Sequence, residues 1–335
     1  MAYQPWLERA GFQVEVSPFF DDAYLHRLYA DGRAHGGDVL GAFGRRLRVL
    51  FRLRRYRLLW IEKELFPFLP GNVDGLLPRL GVPYVLDYDD ATFHRYDLHR
   101  SRLVRTLLGR RLLPLLRGAT LVTAGNAYLA DYARGAGAVD VRELPTVLDS
   151  NRYSVADEPA GEELRIGWIG SPSTAHYLGL VLDALRRLAR ERPLRLVVIG
   201  ARELPPTDVP LELHDWSIDT ESALLGSVHI GIMPLAEGPW ERGKCGYKLV
   251  QYMACGKPVI ASPVGVNVDI VTPARGFLAA DSRQWLAALR ALAADAALRR
   301  RMGAAGRACV EADYSLQTWG PRVATLLAEA ASISR

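Results

Sequence analysis

The hydrophobic pattern of the chain is clearest in its second half. There, short and largely apolar segments alternate with longer amphipathic stretches. The expected strands are Leu164–Gly170 (LRIGWIG), Leu194–Gly200 (LRLVVIG), Leu211–Asp215, Val228–Met233 (VHIGIM), Pro258–Ala261 and Gly276–Leu278. Apolar runs without polar alternation suit strands buried on both faces. Helical patterns follow at about Ala175–Arg190 and over Tyr247–Cys255. Strands and helices in this rhythm predict βαβ units and a parallel sheet.

The first half has the same rhythm with weaker signals. Gln13–Ser17, Arg57–Glu62, Tyr84–Tyr88 (YVLDY) and Thr120–Ala124 (TLVTA) are the expected strands, with helices at Arg45–Arg55 and Arg100–Arg117. Asp149–Glu163 is polar and short of large aliphatics, as a linker between two α/β domains would be. The expected organisation is a domain over 1–150, a linker over 151–163, a domain over 164–315 and a terminal helix over 316–335. Ser282–Leu298, Ala304–Glu311 and Ser315–Ala331 read as successive helices without strands between them, so the tail caps one domain or returns to the other.

One irregularity stands out. A doubly wound domain normally begins with its central strand. Here a helix-like segment, Tyr3–Ala10, comes before the first strand. The first domain is therefore expected to lack its first strand. A start placed too late is favoured over a genuine loss, because losing a strand buried on both faces exposes much apolar surface.

Composition narrows the classes. The 335 residues are 49% hydrophobic and 24% charged, which excludes a disordered or collagenous chain. No apolar run approaches the ~20 residues of a membrane helix, and no signal-peptide pattern follows Met1. Cys245, Cys255 and Cys309 lack zinc spacing and suit a reducing cytosol, so a cytoplasmic location is expected. Of 42 basic residues 38 are arginine, a bias that a GC-rich genome accounts for. Against it, Lys244, Lys248 and Lys257 lie within fourteen residues. Arg45–Arg57 carries seven arginines, no acid, and interleaved aliphatics. It reads as a helix lying on an anionic membrane face or as a solvated surface. Nothing resembles a nucleic-acid-binding module.

The densest chemistry lies in Met233–Val266, where a strand ends in a Gly/Pro-rich loop and a helix opens near Gly243–Tyr247. Free N–H groups and a positive dipole at a helix start suit phosphate. Lys244 and Lys248, four apart, share one helix face, and Arg242 adds a third cation. The loop Gly170–Ser171–Pro172–Ser173–Thr174 brings hydroxyls and bare backbone to another strand end. In the first half, Asp87, Asp89 and Asp90 crowd a strand end, where mutual repulsion should raise one pKa. They are candidates to orient or deprotonate a hydroxyl, with helix capping or a divalent metal as alternatives and no metal expected. Glu62 and Glu64 end the preceding strand on the same rim, and Asn126 follows Gly125 at another strand end. His94 and His99 come next to this rim but read more simply as structural.

Three segments, KLVQYMACGKPVIA at Lys248–Ala261, VTAGNAYLADYA at Val122–Ala133 and LPTVLDSNRY at Leu144–Tyr153, resemble glycosyltransferase family 4. The likeness runs from Leu7 to the terminal helix. It implies the GT-B fold: two Rossmann-like doubly wound domains facing across a cleft, with a C-terminal helix crossing back to the first. It further implies a nucleoside-diphosphate sugar donor (UDP-, GDP- or another), bound mainly by the second domain, an acceptor on the first, retention of configuration, and no cofactor or required metal. By the same resemblance Trp216 lies near the nucleobase, either stacking on it or simply packed. The chain departs from the family at one point. Many members carry two glutamates eight apart, and these positions fall on Gly243 and Gln251. A glutamine amide still reaches ribose hydroxyls, whereas glycine reaches nothing, which leaves Glu237 or Glu241 to compensate. The implied reading is transfer of a sugar to a carbohydrate, lipid-linked or small-molecule acceptor, at or near the inner membrane face. The competitors are a non-catalytic transferase-like subunit and a sugar-nucleotide epimerase.

Overall fold

A computed structural model describes residues 2–21, 24, 27, 36–67, 69 and 71–333. Two parallel sheets organise it. The first contains β1 (Leu59–Glu62), β2 (Tyr84–Tyr88), β3 (Leu121–Ala124) and β4 (Val141–Glu143), in the order β1-β2-β3-β4. The second contains β5 (Leu164–Ile169), β6 (Leu194–Ile199), β7 (Leu211–His214), β8 (Ile230–Met233), β9 (Val259–Ala261) and β10 (Gly276–Leu278). Its order is β10-β9-β8-β5-β6-β7, with every pair parallel. The chain winds one way from β5 through β6 to β7 and the other way from β8 through β9 to β10. That reversal opens a crevice beyond the carboxyl ends of β5 and β8, where open α/β sheets bind ligands.

The central strands of the second sheet, β5, β6, β8 and β9, are buried on both faces, as their apolar runs require, while the edge strands β7 and β10 are partly exposed. Ile166, Trp168, Leu196 and Val198 pack with Leu185, Trp285 and Leu289 on one side. Ile169, Val197 and Ile199 pack with Leu249, Tyr252 and Met253 on the other. The first domain has its own core around Tyr84, Leu86, Tyr88, Phe93 and Leu115. The terminal helix, Leu316–Ser332, returns to that domain and buries Val323, Ala324 and Leu327 against Leu7, Val85 and Leu121. The last two residues of the expected 316–335 segment lie outside the described residues.

Three readings of the first half need correction. Gln13–Ser17 runs extended but joins no sheet ladder. No described strand lies beside it; instead a groove of about 420 Å3 separates Phe12–Phe19 from β1. The Arg45–Arg55 helix begins earlier, at Gly36, and stops at Leu50, with a single tight turn over Leu53–Arg55. Arg100–Arg117 divides into Arg102–Leu108 and Leu113–Gly118. Pro114, in the first turn of the second piece, explains the break, since proline starts helices more readily than it continues them. Strand β4 has partly and fully exposed residues and went unread.

Candidate functional site

The two domains meet around a cavity of about 1490 Å3. It is lined from the first domain by Asp89 and Asp90 and from the second by Gly170, Ser171, Trp216, Lys244, Lys248 and Gln251, among others. These eight line one cavity. Asp87, Glu62, Glu64, Asn126, Glu237, Arg242 and Gly243 are not on its wall.

The second-domain wall is built from strand ends. Gly170 follows β5 and sits within reach of Gly200, which follows β6 at φ +89. A Cβ on Gly170 would lie 2.5 Å from Lys248 Nζ, which could shift, and 2.6 Å from the buried Trp168 ring, which favours glycine there. Lys248 stands in the first turn of the Tyr247–Ala254 helix, with its ammonium 4.3 Å from the centre of the Trp168 ring. Among the described residues it has no carboxylate partner and no hydrogen-bond acceptor. Burial, assisted by the charge of Lys244, lowers its pKa to about 7. Desolvation disfavours the charged ammonium, and a neighbouring negative charge would favour it again.

Lys244 is placed differently. Its Nζ lies 3.1 Å from Asp90 Oδ2, across the domain boundary, and 5.4 Å from the Trp240 ring centre. The backbone around it is tied to the first domain as well. Asn126 caps the Ala127–Gly135 helix through Leu129 N–H at 3.0 Å, while its amide Nδ2 donates to Lys244 O at 3.0 Å and Arg242 O at 3.3 Å. Cys245 Sγ donates to Asp89 O at 3.0 Å. A Cβ on Gly243 would come within 2.4 Å of Ala91 Cβ. The position that holds an acid in the resembled family is therefore a close-approach point between domains here. Arg242 turns to the rim and pairs with Glu237, its Nε at 2.6 Å, leaving neither aimed into the cavity.

The far end of the cavity holds a network unread in the sequence. Trp216 Nε1 and Tyr153 Oη both donate to Glu221, which is 6% exposed. Gln251, 4% exposed, bonds Tyr153 from the other side. Glu221 thus fixes the indole of Trp216, half of which stays open to the cavity. No local pattern marks Glu221, because its partner Tyr153 is 68 residues away.

The three aspartates do not face one another. Asp87 turns inward and accepts from Thr123 Oγ1 at 2.7 Å; burial is the main cause that pushes its pKa up to about 7. Asp89 pairs with Lys63 Nζ at 3.0 Å and Asp90 with Lys244. Glu64 leaves the rim altogether and joins a buried set with Arg111, Asp74 and Tyr96. The Arg111 side chain is fully buried, and burial pushes Asp74 up to about 6 despite that partner. Glu62 ends β1 exposed. His94 is held between Asp97 and Tyr128 Oη, each at 2.7 Å, in keeping with a structural histidine.

Residues 163–295 match the family model described as glycosyl transferases group 1. A GDP-mannose-dependent monoacylated alpha-(1-6)-phosphatidylinositol monomannoside mannosyltransferase from Corynebacterium glutamicum is 39% identical over 84 residues, which is 24% of this chain and 22% of that protein. The match thus spans under a quarter of that relative's length. Among solved structures, sucrose-phosphate synthase from Thermosynechococcus elongatus superposes with a TM-score of 0.68 at 17% identity, covering 87% of this chain and 78% of that one. The Anabaena protein HepE, solved with UDP-glucose, gives 0.67 at 16% identity, covering 93% and 90%.

Proposed function

We propose that this chain, whose residues 163–295 match the glycosyl transferases group 1 model and which has the GT-B fold, transfers a sugar from a nucleoside-diphosphate donor to an acceptor hydroxyl. The observation that carries this reading is the half-buried ammonium of Lys248, which has no carboxylate partner among the described residues and faces a cavity at the carboxyl ends of β5 and β8. The donor diphosphate sits against Lys248, Gly170, Ser171 and the start of the Tyr247–Ala254 helix, where free N–H groups point outward. The nucleoside extends toward Trp216, held side-on by Glu221, with the Gln251 amide near the ribose.

The acceptor enters past Asp89 and Asp90. The bond between the anomeric carbon and the leaving phosphate oxygen breaks with its electron pair on that oxygen. Lys248 and the helix start stabilise the charge as it develops, the kind of fixed electrostatics that lowers a barrier most. The acceptor oxygen forms the new bond, and its proton passes to the departing phosphate or to a neighbouring carboxylate. Departure and attack on one sugar face give retention. Carbohydrate and lipid-linked acceptors both fit so open a cleft. The exposed Leu40, Leu47 and Phe51 beside Arg48 and Arg52 suit peripheral contact with an anionic membrane. No described helix is long and apolar enough to cross one.

The test is thermal shift with UDP, GDP, ADP, TDP and CDP on wild type and Lys248→Met. A ligand at 100 times its Kd adds about 2.7 kcal/mol. One nucleotide should stabilise wild type and lose most of that effect in the variant. Equal shifts in both proteins would remove the phosphate from Lys248.

A further inference from the structure

The end of β1 carries a local conformation that nothing above explains. Lys63 has φ +63, the one non-glycine residue with positive φ among those described. Glu64 N–H bonds Glu62 O at 2.7 Å across it, which makes a three-residue γ-turn of the rare positive-φ kind. Lys63 N–H is also held by Asp87 O at 2.9 Å, so the turn is fixed to the end of β2. Glycine would adopt this backbone without strain, yet lysine occupies it.

The turn sends neighbouring side chains to opposite places. Glu64 swings into the buried set around Arg111. Lys63 is thrown across the end of β2, where its ammonium meets Asp89 Oδ1 at 3.0 Å beside the cavity mouth. Asp90, one residue on, is taken by Lys244 from the other domain. The adjacent carboxylates are thereby pulled apart by two lysines of different domains.

Resting on the glycosyltransferase reading, we propose that Lys63 is a positioning residue for transfer: it holds Asp89 turned toward the acceptor side of the cleft, and its strained turn is retained for that purpose. Strained backbone persists where surrounding structure over-determines it, commonly at functional sites.

Lys63→Gly separates this role from a structural one, because glycine relieves the turn while removing the ammonium. The expected result is a Tm equal to or above wild type, an unchanged nucleotide Kd, and a kcat lowered at least tenfold. Lys63→Arg keeps the charge and should restore most of kcat. A lowered Tm in Lys63→Gly would mean that the lysine serves the fold, and unaltered kcat would mean that Asp89 needs no such support; either overturns the proposal. Wild type that binds no nucleotide and transfers no sugar would instead sink the glycosyltransferase reading, and this role with it.

Discussion

The two domains handle buried charge in different ways. The second encloses Lys248 against an aromatic ring and leaves it without a carboxylate among the described residues. The first encloses Arg111 and surrounds it with Glu64, Asp74 and the Tyr96 ring. A buried charge that is already matched contributes to architecture, and removing its partner is costly. One left unmatched is poised for a ligand that brings the missing charge. The first domain pairs its buried charges internally, while Lys248 of the second faces the cavity.

The largest expected effect breaks the matched side. Arg111→Ala leaves Asp74 buried without a cation and Glu64 with only Arg95 at 3.9 Å, and should cost about 3–5 kcal/mol, read by chemical denaturation. Lys248→Met should do the opposite to the second domain. It removes an unsatisfied charge, so stability at pH 7 should hold or rise while nucleotide affinity drops about 100-fold, roughly 2.7 kcal/mol. If both variants lose similar stability, the contrast between the domains fails.

pH sharpens the same contrast. Lys248 is lowered to about 7 by burial, and anion binding requires its charged form. Nucleotide affinity should therefore fall by up to about tenfold from pH 7 to 8 in wild type and stay flat in Lys248→Met, as titration calorimetry would record. On the unliganded protein the sign is set by the unfolded lysine, which keeps its proton up to a higher pH, so this group adds stability as pH rises above 7. Asp87, raised to about 7 by burial, works the other way. The native state binds its proton before the unfolded chain does, so its contribution to stability falls as pH climbs from about 4 to 7. Asp87→Asn should flatten that slope in a Tm series. The smallest expected effect concerns the seam: Gly243→Ala drives a methyl against Ala91 and should cost about 1–3 kcal/mol through overpacking.

Legibility in the sequence followed the same division. The central strands of the second sheet are legible because doubly buried strands write themselves as apolar runs, and Lys248 stands out as a lysine in an arginine-rich chain. The first sheet was harder. Gln13–Ser17 has a strand's alternation but no described neighbour to pair with, and β4 is too exposed to leave an apolar run. Position alone puts Glu64 on the rim beside Glu62, but the γ-turn at Lys63 redirects it inward. Lys244 and Lys248 looked equivalent on one helix face. The helix in fact starts at Tyr247, which leaves Lys244 in the segment before it, where Asp90 of the other domain pairs with it. Glu221 and the role of Gly243 depend on contacts between distant segments, which no local pattern encodes.

The chain crosses between the domains twice, and the crossings touch. Leu148 accepts from Leu316 N–H at 2.8 Å and donates to Tyr314 O at 3.1 Å, while Gln317 bonds both Asp149 and Ser150. Two adjacent connections act mechanically as a single pivot. Bodies joined at one pivot rotate, and displacement grows with distance from the axis. A few degrees of twist at Leu148 and Ser315 would move the Asp90–Lys244 contact much further than it moves the crossings themselves. That geometry is a lever, with its fulcrum in the paired crossings.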